Sequence, residues 1–405
     1  MIGIDDVRAA AAAISGVVAR TPTVRAASLG ARFGCELLLK LETLHPTGSF
    51  KERGAANRLA RLSPAEAAAG VVAMSAGNHA QGVAANAARL GVPATIVMPR
   101  HTPFTKAART EALGARVVLH GDTLSEAEAH ARAMAAAPGG PLLVHPYDDP
   151  LVMAGQGTAG LELLADAGEP PDVVLVPIGG GGLIAGVATA VKALSPRTEV
   201  VGVQAALYPS MVRVLRGEEP GGDGPTLAEG IAVKTPGLLT REVVRARVDD
   251  ILLVEEPAIE AAVDLLATGQ RLVAEGAGAA GVAALLSFPE RFAGRRVATI
   301  LCGGNIDPRV LSTVLMRGLV RGGRLVQLRI GLQDVPGALS RIAALLGDCG
   351  ANIVEVSHRR LLQHVPVRAA ELDAVVETRD AAHAAQVIER LRAGGHRVEM
   401  LGSVS

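Results

Sequence analysis

The stretch Val173–Val191 limits the possible folds more than any other part of the chain. It reads VVLVPIGGGGLIAGVATAV, nineteen residues without a charge, broken in the middle by a proline and four consecutive glycines. A membrane-spanning helix cannot keep its backbone hydrogen-bonded through such a break in lipid. A buried strand, a glycine turn and a buried helix satisfy the same residues, so the stretch predicts a soluble α/β protein.

The rest of the first 320 residues follows that rhythm. Short apolar runs at Glu36–Glu42, Val71–Met74, Ala94–Pro99, Arg116–His120, Val173–Ile178, Val200–Gln204 and Arg296–Cys302 read as strands. Ala-rich helical segments such as Asn78–Leu90, Leu124–Ala136 and Ile259–Leu266 lie between them. Alternation of this kind predicts a mainly parallel sheet with helices on both faces. Ligands of such folds sit at the carboxyl ends of strands, where glycine turns meet helix N-termini. Behind a glycine- and arginine-rich linker at Arg317–Arg324 the pattern becomes β-α-β-β-α-β, a ferredoxin-like module. The expected domains are 1–320 and 324–405.

Forty basic and forty acidic side chains cancel, which argues against nucleic acid as a partner. Three scattered cysteines, Cys35, Cys302 and Cys349, suit a reducing compartment. The N-terminus meets Asp5 and Asp6 where a secretory signal needs basic residues. The expected location is therefore cytoplasmic, without membrane contact.

Four turns carry the chemistry. Gly179, Gly180, Gly181 and Gly182 follow a strand and open a helix through Leu183, a cradle suited to a phosphate. A nucleotide P-loop would need Gly-Lys-Ser/Thr at that point. A dinucleotide site fits Gly180-x-Gly182-x-x-Ala185, but Gln204 stands where an acid is expected. At a second turn Ser75, Ala76, Gly77, Asn78 and His79 crowd a helix start, a candidate carboxylate site. Asn78 alone is explained as a cap, and His79 alone as a structural histidine. The third is ILCGGNID, Ile300–Asp307, where Cys302 ends a strand before two glycines. The fourth, HPTGSFKERGAANRL, places Lys51 behind Ser49 and Phe50 at a helix start.

Together PTGSFKERGA, SAGNHAQGVA, VPIGGGGLIAG and ILCGGNID, with RTPTVRAASL ahead of them, resemble the serine/threonine dehydratases. These are pyridoxal-phosphate enzymes of fold type II, the tryptophan-synthase β type, built from two open, mainly parallel α/β lobes. The resemblance implies that Lys51 bonds to the C4′ carbon of pyridoxal 5′-phosphate and Phe50 packs on its ring. It places the phosphate on Gly179–Gly182 and Leu183, the ring 3′-oxygen on Asn78 and the ring nitrogen opposite Cys302. Ser75, Ala76, Gly77, Asn78 and His79 would hold the substrate carboxylate. The implied reaction is dehydration and deamination of L-threonine and L-serine. Rivals are a lyase for serine or 3-hydroxyaspartate and a non-catalytic amino-acid sensor.

Two departures refine the expectation. Racemases of this kind carry a serine where Ala76 stands, so lyase chemistry is expected. Gln204, Tyr208 and Ser210 offer a divalent ion no carboxylate, so no Mg²⁺ or Ca²⁺ site is expected. A monovalent cation remains open, and AEGAGAAG at Ala274–Gly281 suggests a supporting role for Glu275. The tail, through DVPGALSRI and GANIVEVSHRR, resembles an ACT domain. That implies an amino-acid effector at Asp334, Gly337 and Asn352, commonly between two such modules, with isoleucine or valine as the natural guess. A homodimer or homotetramer is expected.

Overall fold

The computed structural model describes residues 1–359 and 369–401. The chain divides into two compact units, Met1–Ile306 and Asp307–Ser405.

The first unit holds two sheets. The larger runs Thr23–Arg25, Glu36–Leu41, Arg296–Leu301, Val173–Pro177, Glu199–Ala205 and Asp250–Val254 in spatial order. All its pairings are parallel except the first. The smaller, all-parallel sheet runs Arg116–Leu119, Ala94–Met98, Val71–Met74 and Leu142–Leu143. Strand Val173–Pro177 is wholly buried, as is helix Gly182–Leu194 but for its half-exposed end, and a glycine turn joins them. The uncharged stretch therefore fills the middle of the larger lobe. No described helix is long and apolar enough to cross a membrane.

Helix Lys51–Leu59 is anchored by polar groups as much as by apolar ones. Arg53 is fully buried, and its guanidinium donates to both Glu42 oxygens at 2.6 and 2.8 Å and to Glu162 at 2.7 Å. Gly54 N–H donates to Gln156 Oε1 at 3.1 Å, and Asn57 Nδ2 donates to the Leu151 carbonyl at 2.6 Å. Burial of these charges is offset only because each meets its partner in good geometry. Lys51 thus begins a helix whose far side is pinned.

The second unit corrects one expectation. Helix Pro308–Arg321, capped by Asp307, runs through most of the predicted linker, and only Gly322 and Gly323 break it. Leu319 and Val320 supply helix-compatible residues, so two glycines at the end were not enough to unwind the segment. Beyond it strands Leu325–Gln333, Asn352–Arg359, Ala369–Glu377 and Arg397–Leu401 form an antiparallel sheet. With helices Ala338–Asp348 and Ala381–Ala393 this is the expected ferredoxin-like order. Arg360, the last residue of the GANIVEVSHRR motif, lies outside the described residues.

Candidate active site

Lys51 is the first residue of its helix, and three backbone contacts decide where it emerges. Ser49 bridges Gly303, Phe50 N–H donates to the Cys302 carbonyl at 3.0 Å, and Gly304 N–H donates to the Gly48 carbonyl at 2.9 Å. The turn before Lys51 is thereby stitched to the end of strand Arg296–Leu301, although more than 250 residues separate them in sequence. The Lys51 amine lies 5.1 Å from the Phe50 ring centroid and donates to the Pro146 carbonyl at 2.7 Å. Desolvation pulls its pKa from 10.5 to about 8, against the opposing influence of Cys302 and Glu275. Part of the population is then a free amine near neutral pH, the form that attacks a carbonyl.

Cys302 is buried, and desolvation, helped by Glu275, pushes its thiol well above the ordinary range. It stays neutral beside the lysine. The Ser49 hydroxyl is fully buried and has no partner among the described residues, which is the condition of a group left for a bound molecule.

The glycine turn opens helix Gly182–Leu194, and the first helical bond runs from Ala185 N–H to the Gly181 carbonyl. The amides of Gly182, Leu183 and Ile184 therefore precede any helical acceptor and form an anion cradle. Gly181 sits at φ +98°, where a side chain is strained. A Cβ on Gly180 would lie 2.3 Å from the Tyr147 ring, so that glycine also has a packing reason. The Gly180 carbonyl accepts from Thr240 Oγ1 at 2.7 Å. In a trans peptide this turns the Gly181 N–H to the opposite side.

The Ser75–His79 turn starts helix Asn78–Leu90. Gly77 N–H donates to Ser75 Oγ at 3.1 Å. Asn78 Nδ2 donates to Glu275 Oε1 at 2.8 Å, and Asn78 Oδ1 accepts from Asn305 Nδ2 at 2.8 Å. His79 is buried, and burial together with nearby Lys51 lowers its imidazole to about 3. Its neutral ring donates from Nε2 to the Val144 carbonyl at 2.9 Å, so its side chain is structural and only its backbone faces the helix start.

Glu275 had been given only a supporting role, and Asn305, Pro146 and Tyr147 were absent from the sequence-derived site. Asn305 and Glu275 stood within motifs already marked. The other two lie in HPYDDP, His145–Pro150, a polar turn after an apolar run that could have drawn notice. The Tyr147 hydroxyl donates to the Thr235 carbonyl at 2.9 Å, and burial keeps it protonated, with a pKa pushed up to about 12.

Elsewhere the predicted positions separate. The Gln204 amide donates to the Tyr208 carbonyl at 3.2 Å and accepts from Val212 N–H at 3.2 Å. Among the described residues no three or more His, Cys, Asp or Glu side chains are grouped to hold a metal. In the tail, Asp334 and Gly337 follow the end of strand Leu325–Gln333 and Asn352 pairs with Glu377, itself opposite Leu325. The nine-residue strand sets the two groups roughly 27 Å apart, so one module does not unite them.

A lysine amine of lowered pKa, an anion cradle, a neutral buried thiol and an unpartnered hydroxyl suit a ligand combining an aldehyde, a phosphate and an uncharged ring nitrogen. Comparison with known proteins agrees. The family described as pyridoxal-phosphate dependent enzyme matches residues 14–303, and the ACT domain matches residues 326–393. The chain is 44% identical to an L-threonine ammonia-lyase of Thermotoga maritima over 405 residues, 99% of this chain and 100% of that one. It is 43% identical to an L-threonine ammonia-lyase of Geobacter sulfurreducens, across 95% of this chain and 96% of that one. A processed threonine deaminase isoform of Solanum lycopersicum is similar in structure, with a TM-score of 0.73 at 36% identity, over 77% of this chain and 86% of that one.

Proposed function

The chain belongs to the pyridoxal-phosphate dependent enzymes and carries an ACT domain, and from that premise we infer that it is a threonine ammonia-lyase. It converts L-threonine to 2-oxobutanoate and ammonia, and L-serine to pyruvate and ammonia. The observation that carries this reading is Lys51, whose amine is lowered to about 8 and held at the start of a pinned helix.

Pyridoxal phosphate, when bound, supplies an electron sink for the bond broken at the substrate α-carbon. Lys51 would hold the cofactor, and its amine is placed to take the substrate α-proton; the Pro146 carbonyl gives that amine a fixed acceptor at 2.7 Å. Gly179–Gly182 and Leu183 would hold the cofactor's phosphate through backbone amides. Phe50 would support the ring, and the Cys302 thiol, kept neutral by burial, would leave the ring nitrogen without a counter-charge. Ser75, Ala76, Gly77, Asn78 and the His79 backbone receive the substrate carboxylate. Ala76 offers no hydroxyl to return a proton to the opposite face, which favours elimination over racemisation.

Catalysis would reside in the first unit, Met1–Ile306, and amino-acid response in residues 324–405 of the second. Because Asp334 and Gly337 stand at the opposite end of the sheet from Asn352, an effector contacting all three needs two modules, which supports a homodimer or homotetramer. Gln204, Tyr208 and Ser210 offer a divalent ion no carboxylate, so chelation of Mg²⁺ and Ca²⁺ is expected to leave the rate unchanged. The balanced charge and three unpaired cysteines support a cytoplasmic location.

Steady-state kinetics with threonine, serine and 3-hydroxyaspartate, each with and without isoleucine or valine, test the reading. Threonine is expected to give the highest kcat/KM. Preference for 3-hydroxyaspartate, or no turnover of any of the three, contradicts it.

A further inference from the structure

Two hydrogen bonds decide which way the Asn78 amide faces. Its Oδ1 accepts from Asn305 Nδ2, and its Nδ2 donates to Glu275 Oε1, both at 2.8 Å. A flipped amide would set NH₂ against NH₂ and carbonyl against carboxylate, losing both bonds. Asn305 is fixed in turn, because its Nδ2 also donates to the Thr47 carbonyl at 2.8 Å. Among the described residues one Asn78 N–H is left over.

Glu275 holds the N-cap position of helix Gly276–Ser287, where a carboxylate ordinarily bonds the first-turn amides. Among the described residues its acceptors serve Asn78 and the Asn305 backbone instead. The surrounding chain is shaped to that carboxylate. A Cβ on Gly303 would lie 2.6 Å from Glu275 Oε1, and one on Gly230 would lie 3.0 Å away.

We propose that Glu275 and Asn305 are positioning residues that lock the Asn78 amide with its spare N–H available to the cofactor ring oxygen, and that the Glu275 charge sets how firmly. This rests on the reading that pyridoxal phosphate binds here with Asn78 at its ring oxygen. An ionised acceptor holds an amide N–H about twice as strongly as a neutral one. The charged and titratable groups facing Glu275 are Lys51, Cys302, Glu229 from the turn Glu229–Ile231, and Lys106 from helix Phe104–Ala112. Burial first, and Glu229 second among the raising influences, push the carboxyl up to about 7, while the hydrogen bond from Asn78, then Lys106 and the Asn305 backbone, oppose. Above that pH the lock is ionic; below it the acid is neutral and the lock loosens.

The test uses the full-length holoenzyme, reading the visible absorption of bound pyridoxal phosphate against pH and the dissociation constant for that cofactor. The wild-type band is expected to change with an apparent pKa near 7. Glu275→Gln keeps an acceptor without charge and should abolish that step while the protein stays folded and loaded. Asn305→Asp removes the donor that orients Asn78, and should shift the band and weaken cofactor binding about tenfold, the loss expected of a displaced buried hydrogen bond. An unchanged pH step in Glu275→Gln, or an unchanged band and affinity in Asn305→Asp, overturns the proposal. If Asn78→Ala alters neither band nor affinity, the proposal falls while the ammonia-lyase reading stands. A wild-type protein that binds no pyridoxal phosphate overturns both.

Discussion

In the catalytic unit, side chains far apart in sequence meet in pairs. Asn78 bonds Glu275 across 197 positions, and Lys51 bonds the Pro146 carbonyl across 95. In the tail, Asp334 and Gly337 are exposed at one end of a sheet, and Asn352 is exposed at the other with its amide on Glu377 at 3.3 Å. Both regions are marked by motifs, but only the first closes them into a site within one chain. The difference is burial. A desolvated pocket penalises every unpaired polar group, so its partners must converge, whereas exposed groups can also turn to water. Chemistry that depends on a shifted pKa belongs in the first setting. An effector face shared between subunits, as proposed for the tail, would belong in the second.

The contrast makes unequal demands on the two regions. Lys51→Ala should abolish oxo-acid formation while circular dichroism stays native; turnover near wild type would remove Lys51 from its role. Arg53→Leu leaves Glu42 buried without its cation and should lower stability by about 3–5 kcal/mol, read from urea unfolding. A loss under about 1 kcal/mol would mean the network does not anchor the Lys51 helix. The apoprotein's capture of pyridoxal phosphate should show the lysine directly. Only the free amine reacts, so the rate should climb about tenfold per pH unit and level off above about 8. A rise continuing toward 10.5 would show that the amine is not desolvated. In the tail, Asn352→Ala should move stability by no more than about 0.5 kcal/mol and leave basal turnover intact. Its expected effect is confined to the response to isoleucine or valine, and an unchanged response to both removes Asn352 from the effector site.

Sequence periodicity located the regular elements well where apolar and polar residues alternated sharply. Helices Asn78–Leu90 and Leu124–Ala136 match the predicted ends, and strand Val71–Met74 does too. The edge strand Asp250–Val254 went unremarked because its short apolar run directly follows a charged helix, Leu238–Arg247. Helix Glu256–Gln270 extends well beyond the predicted Ile259–Leu266, since polar residues at both ends continue it on the exposed side. Four motifs were legible in the sequence, and the structure joins the Lys51 turn to Cys302 through the Phe50 N–H and Asn78 to Asn305 through its amide oxygen. The partners were not legible. Nothing local to Glu275 says that its carboxylate bypasses its own helix, and nothing near His79 says that its ring is spent on Val144. Those choices are made by packing between segments hundreds of residues apart.

The amine of Lys51 is where the cofactor is expected to be attached. Borohydride reduction of the loaded protein, followed by peptide mapping, measures that directly. A pyridoxyl group is expected on the peptide containing Lys51 and on no other lysine. Label on a different residue, or no label on protein that demonstrably contains the cofactor, would contradict the account.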